Sequence, residues 1–205
     1  MKGGLFYMKS KKTQVLVEGA IMVALAFGLS YVRVFTLPQG GSITLLSLLP
    51  VSVYGIKNGW KAGLGAGFVL SLFMFFQGIG EGLFGWGLTP VMLCVCILLD
   101  YFAAYTILGL ASLFKAKTPL GQSLSIAAIL FVKFLCHFVS GVICFGEFAE
   151  QWGEFFARHK VLYSLCYNGA HMIPELIITS CAAFFVLKNP AVAKLFRKEQ
   201  ALAKH

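Results

Sequence analysis

The sequence predicts an all-α membrane protein: a polytopic bundle of six transmembrane helices with both termini in the cytoplasm. Two observations carry that expectation. Of the 205 residues, 59% are hydrophobic and only 12% charged, and the mean hydropathy is +0.82. A soluble domain carries about 25% charged residues because its surface faces water, so this chain has lipid as its outer solvent. The basic residues also fall in clusters separated by pairs of apolar segments. Lys2, Lys9, Lys11 and Lys12 precede the first apolar run, and Lys188, Lys194, Arg197, Lys198 and Lys204 follow the last. Lys57 and Lys61 flank one short turn, and Lys115 and Lys117 sit in another. Together these are 13 of the 17 basic residues, in the positive-inside pattern.

The elements follow in order. Helix 1 is expected over residues 14–31, longer than the 7–15-residue core of a signal peptide, which argues for its retention. A Pro/Gly cluster from Arg33 to Ser42 makes the first outer loop. Helix 2, residues 43–56, is short for a span and carries Pro50, which predicts a kink or tilt. Lys57-Asn58-Gly59 turns the chain into helix 3, residues 60–77. Residues 78–90, with Gly78, Gly80, Gly82, Gly85 and Gly87, form the second outer loop. Helix 4 spans 91–114, a Thr-Pro turn returns the chain, and helix 5 spans 122–145. Residues 146–160 make the third outer loop, and helix 6 runs over 161–187. The whole chain, 1–205, is one integral-membrane domain, with basic cytoplasmic tails at 1–13 and 188–205.

Several function classes are disfavoured by the same reading. No basic face or aromatic platform on a folded domain suggests nucleic acid. The six cysteines all lie in apolar runs without zinc spacing, as buried structural thiols do. Neither a metal nor a cofactor is called for. Gly63-x-x-x-Gly67 lacks a strand–turn context and reads as close helix packing rather than a phosphate loop. No P-loop is present, so the chain does not hydrolyse ATP by that route, and neither H-E-x-x-H nor G-x-S-x-G supports an enzyme.

Ionisable residues inside a span are costly and point to function. Asp100, Lys133, His137 and Glu175 are such residues, with Asn168 as a strongly polar fifth. At 1.5 Å per residue, Asp100 lies about 15 Å below the outer end of helix 4. His137 and Asn168 come to similar depth on helices 5 and 6, which favours a shared cavity in the outer half. His137, Gly141 and Phe145 recur at i, i+4 and i+8 on one stripe, leaving space for a flat ligand. The competing readings are an interhelical hydrogen bond for His137 and simple helix packing at Gly141. Lys133 is expected to pair with an acid, Asp100 or Glu175. Tyr101, Tyr163, Tyr167, Phe145 and Trp86 add aromatic surface that a heteroaromatic cation or an interfacial belt would equally use.

At these residues the sequence resembles the thiamine-specific substrate-binding (S) component of energy-coupling factor transporters (the ThiT/YuaJ family). The segments that carry the resemblance are residues 37–43 (LPQGGSI), 99–101 (LDY), 133–141 (KFLCHFVSG) and 163–168 (YSLCYN). The resemblance implies a six-helix bundle in the bacterial cell membrane that captures thiamine at its outer face. It also implies a transmembrane coupling subunit and two cytoplasmic ATPase subunits as partners. The family's pyrimidine-binding carboxylate matches Asp100, followed by Tyr101. Its histidine matches His137, its glycine Gly141, its tyrosine Tyr163 and its asparagine Asn168. The stacking aromatic falls on Phe145. A first-loop tryptophan of some members falls near Gly41 and is missing, leaving Trp86 or Trp152 to take its place. The small-xxx-small stripe that meets the coupling subunit matches Ala20 and Ala24, for which ordinary packing within the bundle is the alternative. The other functions that fit are a self-sufficient proton-coupled transporter, with Lys133, Asp100 and Glu175 as a relay, and an S component for another vitamin. The absence of an inverted repeat counts against the first of these.

Overall fold

A computed structural model describes residues 11–194. Helix α1 (Lys11–Ser30) leads into a two-stranded antiparallel hairpin, β1 (Arg33–Thr36) and β2 (Ser42–Thr44). Then come α2 (Leu49–Asn58), α3 (Trp60–Gly80), the helical segment α4 (Pro90–Phe114), α5 (Pro119–Cys144) and α6 (Lys160–Lys188). A 3-10 turn (Gly146–Trp152) and a short helix (Glu154–Arg158) join α5 to α6. Among the described residues, α1, α3, α4, α5 and α6 are long and apolar enough to cross a membrane. Parts of both basic tails lie outside the described residues.

Two sequence expectations change here. The stretch read as the first outer loop contains the hairpin, in which Phe35 pairs with Ile43 and Thr36 with Ser42. Its turn is possible because Gln39 and Gly40 take positive φ, 59° and 90°, the latter at no steric cost to glycine. The expected second span is also divided. Its first residues belong to β2, Leu46 turns the chain with φ 62°, and the helix proper has 10 residues. Ten residues rise roughly 15 Å, half a hydrocarbon core. Pro50 does not kink this helix. It sits in the first turn, where its missing N–H has no partner to lose.

Thr89 and Thr118 cap α4 and α5, accepting from Met92 N–H (3.3 Å) and Gly121 N–H (3.1 Å), each with proline next in sequence. α4 is irregular within. Ordinary turns run to Cys96, a wide π-helical stretch covers Ile97–Ala103, and tight 3-10 turns end it over Ile107–Phe114. Wide turns of this kind often occur at functional sites, and this one carries Asp100 and Tyr101.

The helices α2, α3 and α4 meet backbone to backbone. A Cβ on Gly55 or Gly63 would fall 2.2 or 2.3 Å from the Gly109 carbonyl oxygen, and one on Gly67 would fall 2.4 Å from that of Thr106. The close packing expected of Gly63 and Gly67 is therefore present. Lys57 Nζ reaches Glu18 Oε1 (2.5 Å) and the Tyr54 hydroxyl donates to the Val15 carbonyl (2.9 Å), pinning α2 to α1. Val51, Leu108, Ile126 and Leu130 are fully buried in the main core. Outward faces carry large apolar side chains such as Leu16, Val91 and Phe185, as lipid contact requires.

Candidate functional site

Beneath the hairpin, α3, α4, α5 and α6 enclose a cavity of about 1050 Å³ including its mouth. Asp100, Tyr101, His137, Gly141, Phe145, Tyr163 and Asn168 all line it. Equal helix rise brought the depths together, and the facing surfaces of α4, α5 and α6 do the rest.

The polar centre is a chain of hydrogen bonds across α4 and α5. Asp100 Oδ1 meets His137 Nδ1 at 2.7 Å, and Asp100 Oδ2 accepts from the Ser140 hydroxyl at 2.5 Å. His137 Nε2 lies 2.6 Å from Lys133 Nζ. An ammonium can only donate, so Nε2 accepts and Nδ1 carries the hydrogen given to Asp100. Lys133 is 2% exposed and sits over the Tyr105 ring, 4.2 Å from its centroid. The acid pairing expected of Lys133 is thus corrected. Among the described residues no carboxylate comes within ion-pair distance of it, because the imidazole one helical turn above stands between it and Asp100.

Gly141 lines the cavity and also packs against α6. A Cβ there would lie 2.2 Å from Ser164 Oγ and 2.7 Å from Asn168 Nδ2, so a larger residue would displace both side chains. Aromatic faces surround the polar centre. Trp86 packs edge-on against Phe145 (centroids 5.6 Å, 66°) and also lines the cavity. A Cβ on Gly40 would lie 3.7 Å from the Trp86 ring, so this indole stands beside the hairpin turn. Trp152 packs against Tyr163 and Tyr167 instead (6.2 and 6.1 Å).

The sequence reading missed several lining residues. Arg33 pairs with Glu81, and Gln77 Nε2 donates to the same carboxylate (2.9 Å), forming a polar rim. Four basic residues lie outside the positive-inside clusters, and two of them, Arg33 and Lys133, line the cavity. That displacement was the available signal. Glu175 reaches the cavity too. It accepts from the Thr44 hydroxyl of β2, which meets Ser47 Oγ at 2.6 Å. The Tyr167 hydroxyl accepts from Gly41 N–H (3.1 Å) and donates to the Pro38 carbonyl, seating the hairpin on α6. Ala20 and Ala24 lie elsewhere. They are exposed on the outer face of α1, while Gly19, Val23, Ala26 and Ser30 face inward.

A family model described as "Thiamine transporter protein (Thia_YuaJ)" matches residues 16–195. The thiamine transporter ThiT of Bacillus subtilis is 30% identical over 207 residues, covering 94% of this chain and 99% of its own length. ThiT of Lacticaseibacillus paracasei is 29% identical over 186 residues, covering 82% and 84%. The solved structure of ThiT from Listeria monocytogenes shares the fold. Its TM-score is 0.68 at 23% identity, over 91% of this chain and 99% of that one.

Proposed function

Since the chain belongs to the thiamine transporter protein family of multi-pass bacterial membrane proteins, we propose that it is a non-enzymatic thiamine-capturing subunit. In this reading it is the S component of an ATP-driven energy-coupling factor transporter, which binds thiamine from outside and delivers it with a coupling subunit and two ATPases. Both termini then face the cytoplasm, as the basic clusters require, and the hairpin faces outward.

The observation that carries the reading is the Asp100 carboxylate, held by His137 and Ser140 in a cavity walled by Trp86, Phe145 and Tyr101. Thiamine offers an aminopyrimidine edge that Asp100, Tyr163 and Asn168 can read by hydrogen bonds, with His137, whose two ring nitrogens are taken by Lys133 and Asp100, orienting the carboxylate. Its thiazolium is a permanent cation suited to aromatic faces. Three carboxyl groups line the cavity (Glu81, Asp100, Glu175) against two basic side chains (Arg33, Lys133), a balance that suits a cationic ligand. The test is a binding screen on purified protein with thiamine, riboflavin, biotin and pyridoxine, read by tryptophan fluorescence and calorimetry. Tight binding of thiamine alone is expected. Preference for another vitamin would make this an S component of different specificity.

Trp86→Ala is expected to weaken thiamine binding by about 0.5–1.5 kcal/mol, the usual size of an aromatic or cation–π contact. Calorimetry on the variant checks it, and unchanged affinity would leave the cationic ring to Phe145 alone. The outward position of Ala20 and Ala24 supports their role as the contact with the coupling subunit. Ala24→Phe should keep thiamine binding and lose at least about tenfold in ATP-dependent uptake, the effect of about 1.4 kcal/mol at that contact. Uptake by the reconstituted complex is the measurement.

The Lys133–His137–Asp100 chain is also what a proton relay would use, so a self-sufficient transporter is the second reading. Proteoliposomes containing this chain alone separate the two. Concentrative uptake driven by a proton gradient without ATPases would favour the relay.

A further inference from the structure

Ser164 does not line the cavity. It is 0% exposed, behind Asn168, which is 5% exposed and does line it. The Ser164 hydroxyl donates its one hydrogen to the Phe138 carbonyl of α5 (2.7 Å). Its oxygen can therefore only accept from Asn168 Nδ2, which lies 3.2 Å away. Nδ2 also donates to the Ser164 carbonyl at 3.0 Å. Both amide hydrogens are thereby committed away from the cavity. Among the described residues no donor meets Asn168 Oδ1. Gly141 gives this arrangement its room, because a Cβ there would collide with both Ser164 Oγ and Asn168 Nδ2.

We infer that Ser164 is a specificity-determining positioning residue: it fixes the Asn168 amide with its carbonyl oxygen toward the cavity, so that the site demands an amino group from its ligand. The inference rests on the thiamine reading and deepens it. Asp100 points the same way, being a carboxylate whose two oxygens already hold His137 and Ser140 and which offers only further acceptor sites. A heteroaromatic ligand with an exocyclic amino group meets acceptors with donors. An analogue with an oxo group at that position sets acceptor against acceptor, and a buried group left unpaired is rejected strongly.

The experiment compares thiamine with its 4-oxo analogue, in which a carbonyl replaces the pyrimidine amino group. Calorimetry is run on the full chain and on Ser164→Ala and Ser164→Thr. The unaltered protein should prefer thiamine by at least about a hundredfold. In Ser164→Ala, which removes one of the two acceptors holding the amide NH2 and leaves only the Ser164 backbone carbonyl, the preference should shrink at least about tenfold, mainly through better binding of the analogue. Ser164→Thr keeps the hydroxyl and should keep the preference, an outcome that a purely structural role for Ser164 would not produce. An unchanged ratio in a Ser164→Ala protein that melts normally overturns the inference. So does equal binding of the two ligands by the unaltered protein, a comparison that needs no variant. Thiamine binding by the unaltered protein tests the functional reading separately, and its absence overturns both.

Discussion

Asp100→Ala is expected to lower thiamine affinity at least tenfold, about 1.4 kcal/mol, in a protein that remains folded. The side chain would lose its own bonds to the ligand, charge-assisted and so worth about 1.5–3 kcal/mol each. It would also strand its two donors. His137 Nδ1–H and the Ser140 hydroxyl have Asp100 as their acceptor, and in a poorly solvated site neither finds a ready replacement. The imidazole would then be held only through Lys133, so the loss extends past one residue. Asp100→Asn separates charge from shape: it fills the same space, but its amide NH2 must face one of those two donors. Calorimetry with a melting curve on each variant checks this, and unchanged binding by well-folded Asp100→Ala would end the assignment of the carboxylate.

Gly109→Val should have the largest effect on stability. A Cβ at Gly109 would lie 2.0 Å from the Gly63 carbonyl carbon and 2.1 Å from its oxygen. Both obstacles are backbone, so no side chain can swing aside, and α3 and α4 must separate. Overpacking a core costs about 1–3 kcal/mol even where side chains can adjust, so a loss of about 3 kcal/mol or more is expected. At about 2–4 °C per kcal/mol for a chain of this size, melting should fall by at least roughly 6 °C. Gly65→Val is the control. Gly65 is exposed on the same helix with nothing within 4 Å of its Cβ position, so its melting temperature should barely move. Equal drops in the two variants would mean that helix propensity, and not steric overlap, sets the cost.

The difference between Asp100 and Gly109 shows what a sequence can convey. Asp100 stood out because a carboxylate in an apolar run is expensive wherever it is found, and counting residues from the outer end placed its depth. The same counting aligned His137 and Asn168 with it. Gly109 did not stand out, since one glycine in an apolar run carries no sign of which backbone it will touch. The hairpin was hidden for a related reason. Val34, Phe35 and Ile43 are strand formers, but two strands of 4 and 3 residues are too short for alternation to show, and Pro38, Gly40 and Gly41 read as a breaker. Its stability comes from outside, through Tyr167 on Gly41 and Pro38 and through Thr44 on Glu175. Lys133 was misassigned because residue spacing measures its distance to the acids and is blind to the imidazole lying between.

The fixed hydrogen bonds around Asp100 and Asn168 also bear on timing. These side chains are ordered when the protein folds, so an arriving ligand has few rotamers left to freeze. Encounter should then be quick in every variant that keeps the cavity open, while the strength of the individual bonds to the ligand sets how long the complex lives. A ligand held that way leaves slowly by itself. In the proposed reading as a capture subunit, the step that needs outside help is therefore letting go, which is where the proposed ATPase partners would act.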